Sequence, residues 1–314
     1  MKPKPRCAAS GQLQYCAMRR LLVAGCAVTL WGSPRLGAAQ DRVPTLAERT
    51  GTLPSAILES SGVAVSRRYP GILWTHNDSG DGPMLYATNL AGEDLGRYLV
   101  PGARNVDWED MALAPCPRQP GDCVYLADTG DNSEHRRSVV LYAVPEPATR
   151  PTPAAEEESA RTAPIARALT LRYPDRARDV EALWVNPDGS AELVSKGMSG
   201  PIVRYLIPRA AWQRDTAMAQ LVDTIPIVPQ RALGRLVTGA ARSPRGDRVV
   251  LRTYTEIYSY RRRDDYRLTP DGAPCWLGTL QPQGEGIAFL DDSTLVLTSE
   301  AVLGQRGAIH RVRC

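Results

Sequence analysis

The sequence predicts an all-β fold assembled from repeated antiparallel meanders, and three observations predict it. A short strand-like phrase recurs at Ser61-Gly62-Val63-Ala64-Val65, Glu109-Asp110-Met111-Ala112-Leu113, Glu181-Ala182-Leu183-Trp184-Val185, Thr238-Gly239-Ala240-Ala241-Arg242 and Glu285-Gly286-Ile287-Ala288-Phe289. In the middle copies Pro115, Pro187 and Pro244 all fall six residues after the first position. Further short apolar runs follow each copy, separated by Gly, Asp and Pro turns, and no alternating helical pattern supports a parallel α/β sheet. Self-similarity at this spacing is the mark of a repeat architecture.

Taken in order, each copy supplies a first strand at the phrase itself. A second follows at Ile72–Thr75, Val124–Ala127, Glu192–Ser195, Val249–Arg252 and Thr294–Ser299, and a third at Met84–Thr88, Val139–Val144, Ile202–Ile207, Ile257–Tyr260 and Ile309–Val312. The copies start at 61, 109, 181, 238 and 285, so the intervals of 48, 72, 57 and 47 residues suit a four-stranded propeller blade with insertions. A β-propeller of five blades is therefore expected, or six if one repeat has diverged. The longest interval holds a Pro/Ala/Glu-rich stretch at about 145–165, read as an exposed loop, and Pro208 to Met218 reads as a short helix. The last copy ends at Cys314 after three strands; residues 43–54 are expected to add the fourth and close the ring without an open edge.

Composition agrees with a large folded domain. The 314 residues are 43% apolar and 23% charged, which excludes collagen, a coiled coil and a largely disordered chain. Residues 1–39 carry six basic residues and no acid: Arg19-Arg20, then the apolar stretch Leu21 to Trp31, then Gly37-Ala38-Ala39, the anatomy of a secretory signal. Met18 is a possible true start, and Arg19-Arg20 also fit a twin-arginine signal. Val23-Ala24-Gly25-Cys26 has the form of a lipoprotein box, but the apolar run continues past Cys26, which argues against a lipid anchor there. Without the leader, 32 bases face 34 acids, so residues 40–314 form one propeller domain with no global field for nucleic acid. No stretch is long enough for a transmembrane helix. A monomer in the periplasm or outside the cell is expected. Four cysteines remain, an even count that suits an oxidising compartment and two bridges with three possible connectivities. The spacing favours Cys116–Cys123, leaving Cys275 with Cys314.

The repeat also places chemistry. First strands of propeller blades line the central channel, where the first repeat position reads Ser61, Glu109, Glu181, Thr238 and Glu285. Three carboxylates facing a narrow channel repel and lose hydration, and a divalent cation removes the conflict, with hard oxygen ligands suiting calcium. The plainer alternative is that each glutamate pairs with an arginine or with neighbouring backbone. A second ring is expected where the second strands end. Aligning Asp78-Ser79-Gly80-Asp81 with Asp128-Thr129-Gly130-Asp131 brings Lys196, Arg252 or Thr253, and Glu300 into one layer, with His76 and Asn77 just before it. Lys196 is the only lysine after residue 4, a compact point charge in a chain that otherwise uses arginine. Dispersed histidines and the absence of a nucleophile elbow, P-loop or dinucleotide fingerprint leave a metal-activated water as the expected nucleophile if the protein is an enzyme.

These phrases, with the runs Trp74-Thr75-His76-Asn77-Asp78-Ser79-Gly80-Asp81, Asp107-Trp108-Glu109-Asp110, Ala127-Asp128-Thr129-Gly130-Asp131-Asn132 and Tyr173-Pro174-Asp175, resemble secreted bacterial phytase-like (esterase-like) propellers. That group lies within the wider calcium propellers that include gluconolactonases and β-propeller phytases. The resemblance covers about residues 57–314 at the level of repeats; the long acidic clusters of true phytases are missing. It implies Ca²⁺ near the axis and hydrolysis of an ester, lactone or phosphoester. The expected assignment is metal binding by Glu109, Glu181 and Glu285 with help from Asp78 and Asp128. Lys196 and Arg252 would stabilise negative charge on an ester, phosphoester or carboxylate ligand, and His76, Asp131 or Glu300 would move the proton. The alternative expectation is a non-catalytic binding or scaffold propeller of the bacterial envelope with a structural metal.

Overall fold

The computed structural model describes residues 42–153, 159–227 and 232–314; the leader, with Met18, Arg19-Arg20 and Cys26, lies outside the described residues. Five antiparallel sheets follow one another along the chain. Blade 1 comprises Ser60–Val65, Leu73–Asn77, Met84–Thr88 and Arg97–Leu99. Blade 2 comprises Trp108–Pro115, Asp122–Asp128, Val139–Pro145 and Arg167–Arg172, and blade 3 Val180–Val185, Ala191–Ser195, Ile202–Ile207 and Gln220–Ile225. Blade 4 comprises Val237–Arg242, Arg248–Thr253, Glu256–Arg262 and Leu268–Pro270. Blade 5 takes Gly284–Phe289, Leu295–Ser299 and Ala308–Arg313 from the end of the chain and its outer strand, Leu46–Thr52, from the beginning. The ring is five-bladed, and the N-terminal strand closes it as expected, pairing antiparallel from Leu46↔Arg313 to Thr52↔Ala308.

Burial explains the ring. The inner strands are apolar or small on both faces, so each sheet has two faces to cover, and it covers them with its neighbours. Five apolar clusters result, one at each blade interface. Between blades 1 and 2, for example, Trp74, Leu85 and Tyr98 meet Trp108, Leu126 and Val144. Each fully buried side chain of this size contributes about 1.5–3 kcal/mol. Removing one blade would expose two clusters, so the ring folds as a unit.

Edges and ends are tied down. Arg161–Thr162, from the long connection of blade 2, pairs parallel with the outer strand of blade 1, and Thr216–Met218 does the same for blade 2. The expected exposed loop at about 145–165 is therefore partly built in. Glu146 is buried and accepts hydrogen bonds from Trp74 Nε1 at 2.9 Å and Ser66 Oγ at 2.6 Å. The edge strand Arg97–Leu99 offers unpaired backbone, and the connection satisfies it. The expected helix in 208–218 is a 3₁₀ turn, Arg209–Gln213, before that second edge strand begins.

Both expected disulfides are present, Cys116–Cys123 within a hairpin of blade 2 and Cys275–Cys314 between blade 4 and the chain end. The longer loop, with a sequence separation of 39, removes about 4 kcal/mol of unfolded-chain entropy in the loop-closure account. No helix among the described residues is long and apolar enough to cross a membrane.

Candidate metal centre

The five inner strands share one irregularity. Each has a register shift at its first repeat position: between Ser60 and Gly62, Trp108 and Met111, Val180 and Ala182, Val237 and Gly239, and Gly284 and Ile287. The residues inside these bulges include Ser61, Glu109, Glu181, Thr238 and Glu285. A bulge leaves its extra residue out of the ladder and re-aims its side chain. Here it does so five times around one axis, at one level.

Glu109, Glu181 and Glu285 are all buried, and each feels the charge of another. Burial, then repulsion from Glu181, Asp78 and Glu285, holds the Glu109 carboxyl well above its ordinary range. Glu285 is raised in the same way by burial and then by Glu181 and Glu300. Burial pushes Glu181 to about 8 although Lys196 Nζ sits 2.7 Å from its Oε1. Ser61 Oγ donates to Glu109 Oε2 at 3.1 Å, and Tyr254 Oη donates to Glu285 Oε1 at 3.3 Å.

Three aspartates complete the group. Asp107, Asp78 and Glu109 form one triad whose carboxylate oxygens lie within 4.8 Å of one another; Glu109, Asp179 and Glu181 form a second. Glu109 belongs to both. Asp179 Oδ2 and Glu181 Oε2 are buried and accept no hydrogen bond. Asp78 is raised to about 7 by burial and then by the Asp107 charge. Neither Asp107 nor Asp179 was singled out as a ligand from the sequence, yet the signal is there. Asp107-Trp108-Glu109 and Asp179-Val180-Glu181 are the same Asp-x-Glu phrase at the same repeat position. In each phrase the bulge brings the two carboxylates within 4.8 Å of one another.

The end of the second strands carries a correction. Inner-strand pairing sets Asn77, Asp128, Ser195, Thr253 and Ser299 opposite Ser60, Trp108, Val180, Val237 and Gly284. The layer one residue further reads Asp78, Thr129, Lys196, Tyr254 and Glu300. Aligning Asp128 with Asp78 was thus one residue out, and a one-residue shift turns a strand side chain to the other face. Asp128 is not a member of either triad. It pairs with Arg136 at 2.9 Å and accepts the Asp107 backbone N–H at 3.2 Å, so it holds Asp107 from behind. Arg252 and Thr253 give way to Tyr254. The Arg252 side chain is fully buried, its Nη1 donating to the carbonyls of Gly286 (2.7 Å) and Thr298 (2.9 Å) and its Nη2 to Gln281 Oε1 (2.6 Å). Burial lowers it to about 9 against the opposing pull of the Glu285 charge.

The proton carriers separate likewise. His76 is fully buried against Trp108, its ring centroid 5.5 Å away, and burial lowers its pKa to about 4, so it stays neutral. Asp131 donates its backbone N–H to Asp179 Oδ1 at 2.9 Å while its own Oδ2 accepts the Arg136 N–H at 2.6 Å. It positions Asp179. Glu300 is half-buried at the mouth, where Gln283 Nε2 donates to it at 3.2 Å and burial raises its carboxyl.

Backbone shape finishes the cradle. A Cβ on Gly130 would run into Glu109 Oε1 and Asp107 Cγ, so a larger residue there would push the two carboxylates aside. Asn105 Nδ2 donates to the Asp78 carbonyl at 2.6 Å and its Oδ1 accepts the Trp108 N–H at 3.1 Å, tying blade 1 to blade 2 beside the first triad. Below the bulges the next layer is Gly62, Asp110, Ala182, Gly239 and Gly286. Asp110, fully buried, fills the space these small residues leave and accepts N–H groups from Leu183 (2.8 Å) and Ala240 (2.9 Å), joining three blades at the floor of the site.

No known protein family matches this sequence, and no curated protein does. Solved structures similar to it include the PQQ-bound form of aldose sugar dehydrogenase from Streptomyces coelicolor, 12% identical over 86% of this chain and 99% of that one, with a TM-score of 0.46. Hydrazine synthase of Kuenenia stuttgartiensis is 12% identical over 79% of this chain and 57% of that one, with a TM-score of 0.39. The Dos1 propeller is 11% identical over 80% and 56%, with a TM-score of 0.36. Likeness at this level concerns architecture and carries no chemistry.

Proposed function

We propose that the protein is an exported hydrolase that binds calcium at the channel mouth and acts on an ester, lactone or phosphoester. One observation carries the reading: two carboxylate triads meet at Glu109, and their buried oxygens on Asp179 and Glu181 have no hydrogen-bond donor. Acids so placed fit a hard divalent cation, because its charge removes the repulsion that otherwise forces them to hold protons. The two disulfides suit an oxidising compartment, and the phytase-like resemblance of the repeats points the same way.

When bound, such a cation polarises an ester or phosphoryl oxygen. The chain's own residues then divide the remaining work. Lys196 and Tyr254 stand in the layer above the carboxylates and face developing negative charge with an ammonium and a hydroxyl. Glu300, half-buried and raised by that burial, takes the proton from the attacking water. Asp128, Asp131, Asn105 and Gly130 hold the acids in place.

Turnover of aryl esters, lactones and aryl phosphates by the purified protein tests this. Activity is expected to vanish with chelator, return with calcium, and fall at least about a hundredfold in Glu109→Gln, the scale of losing a main electrostatic element of a site. A chelator that lowers the melting temperature while no substrate turns over would instead establish a binding propeller with a structural cation.

A further inference from the structure

The first triad has two half-buried members and the second is wholly buried, and they differ also in their cationic partners. Among the described residues, no cationic side chain forms an ion pair with Asp78, Asp107 or Glu109, whereas Lys196 Nζ lies 2.7 Å from Glu181 Oε1 and 3.9 Å from Asp179 Oδ2. We infer that the channel mouth is built as two adjoining cation sites sharing Glu109, and that Lys196 is the resident cation of the second, so that one divalent ion binds, at Asp78, Asp107 and Glu109. The inference rests on the proposed reading of these acids as cation ligands.

Backbone and composition both support it. Lys196 is anchored at each end of its peptide unit: its N–H donates to the Asp179 carbonyl at 3.0 Å, and its carbonyl accepts the Val237 N–H at 3.0 Å. The ammonium therefore leaves the strand end of blade 3 directly beside the second triad. A compact ammonium occupies the volume of a small ion, which a planar guanidinium does not, and this is the one lysine among residues 5–314 of an arginine-rich chain. The built-in charge leaves a single exchangeable cation beside a fixed positive group, an arrangement suited to a ligand with two anionic oxygens, one for each.

Cation counting on the full chain tests this, by native mass spectrometry and calorimetric titration with calcium alone. Wild type is expected to bind one calcium, Lys196→Met two, and Lys196→Arg one. If Lys196→Met is unfolded in chelator, millimolar calcium is expected to refold it with a steeper concentration dependence than wild type shows, since two ions then link to folding. One calcium in both wild type and Lys196→Met overturns the inference and leaves the proposed function standing, as does two in wild type. A Lys196→Met protein that calcium does not fold also overturns it. No calcium in wild type removes the proposed function itself.

Discussion

The two ends of the ring treat buried charge in opposite ways. At the channel mouth seven acids (Asp78, Asp107, Glu109, Asp179, Glu181, Glu285 and Glu300) gather around one lysine. At the other end, between the hairpins of blades 3 and 4, charges of both signs interleave. There the fully buried Arg204 pairs with Glu192 at 2.5 Å and with Asp223 at 2.6 Å, and Arg262 approaches Glu192 at 3.5 Å. Beside them a cavity of about 490 Å³ is lined by Asp188, Asp247 and Asp264 together with Arg242, Arg245 and Arg262. Both regions take ionised groups out of water. One satisfies them within the chain, and the other leaves acids in excess. Closed networks make structure, while an excess of one sign invites a ligand.

The largest expected break in this comparison is at the closed network. Arg204→Met takes the closer guanidinium from the buried Glu192, leaving Arg262 at 3.5 Å as its cationic neighbour, and should cost about 3–5 kcal/mol in denaturant unfolding, equally with calcium or chelator. A calcium-dependent loss would mean the two ends are coupled. The mouth should respond to pH instead. A carboxyl whose pKa is higher in the folded than in the unfolded chain holds its proton more tightly when folded, so its contribution to stability declines as pH rises between the two values. Asp78 rises to about 7 and Glu181 to about 8, against an ordinary value near 4. In chelator, stability should therefore fall by several kcal/mol, at most about 6, from about pH 5 to pH 8, and saturating calcium should flatten the curve. Melting scans across that range with and without calcium decide it. The smallest expected change sharpens the cradle: Gly130→Ala should weaken calcium about ten- to a hundredfold by calorimetry, through displaced Glu109 and Asp107 rather than lost ligands.

Much of this was legible in the chain. Five copies of one phrase give the ring, a last copy one strand short gives its closure, and four cysteines give two bridges. The same phase also puts Glu109, Glu181 and Glu285 at one level, because the position that lines a propeller channel repeats with the blade. Asp107 and Asp179 were legible too, as a repeated Asp-x-Glu, but they stand before the phrase that defines the repeat and were passed over. The roles of Asp128, Arg252, His76 and Asp131 were not legible. Their residue types suit ligands, anion holders and proton carriers, while the fold buries them against other groups of the chain.

The sequence by itself thus determined the ring of repeated blades, five or six in number, the closing strand and the three channel glutamates, since each depends on periodicity, which survives any local irregularity. Only the tertiary structure decided which side chains share the upper layer with them. The bulge in every inner strand offsets the pairing between first and second strands, and strand side chains alternate between faces. An offset of one residue therefore exchanges Asp128 for Thr129 and Thr253 for Tyr254, with Arg252 one residue further back.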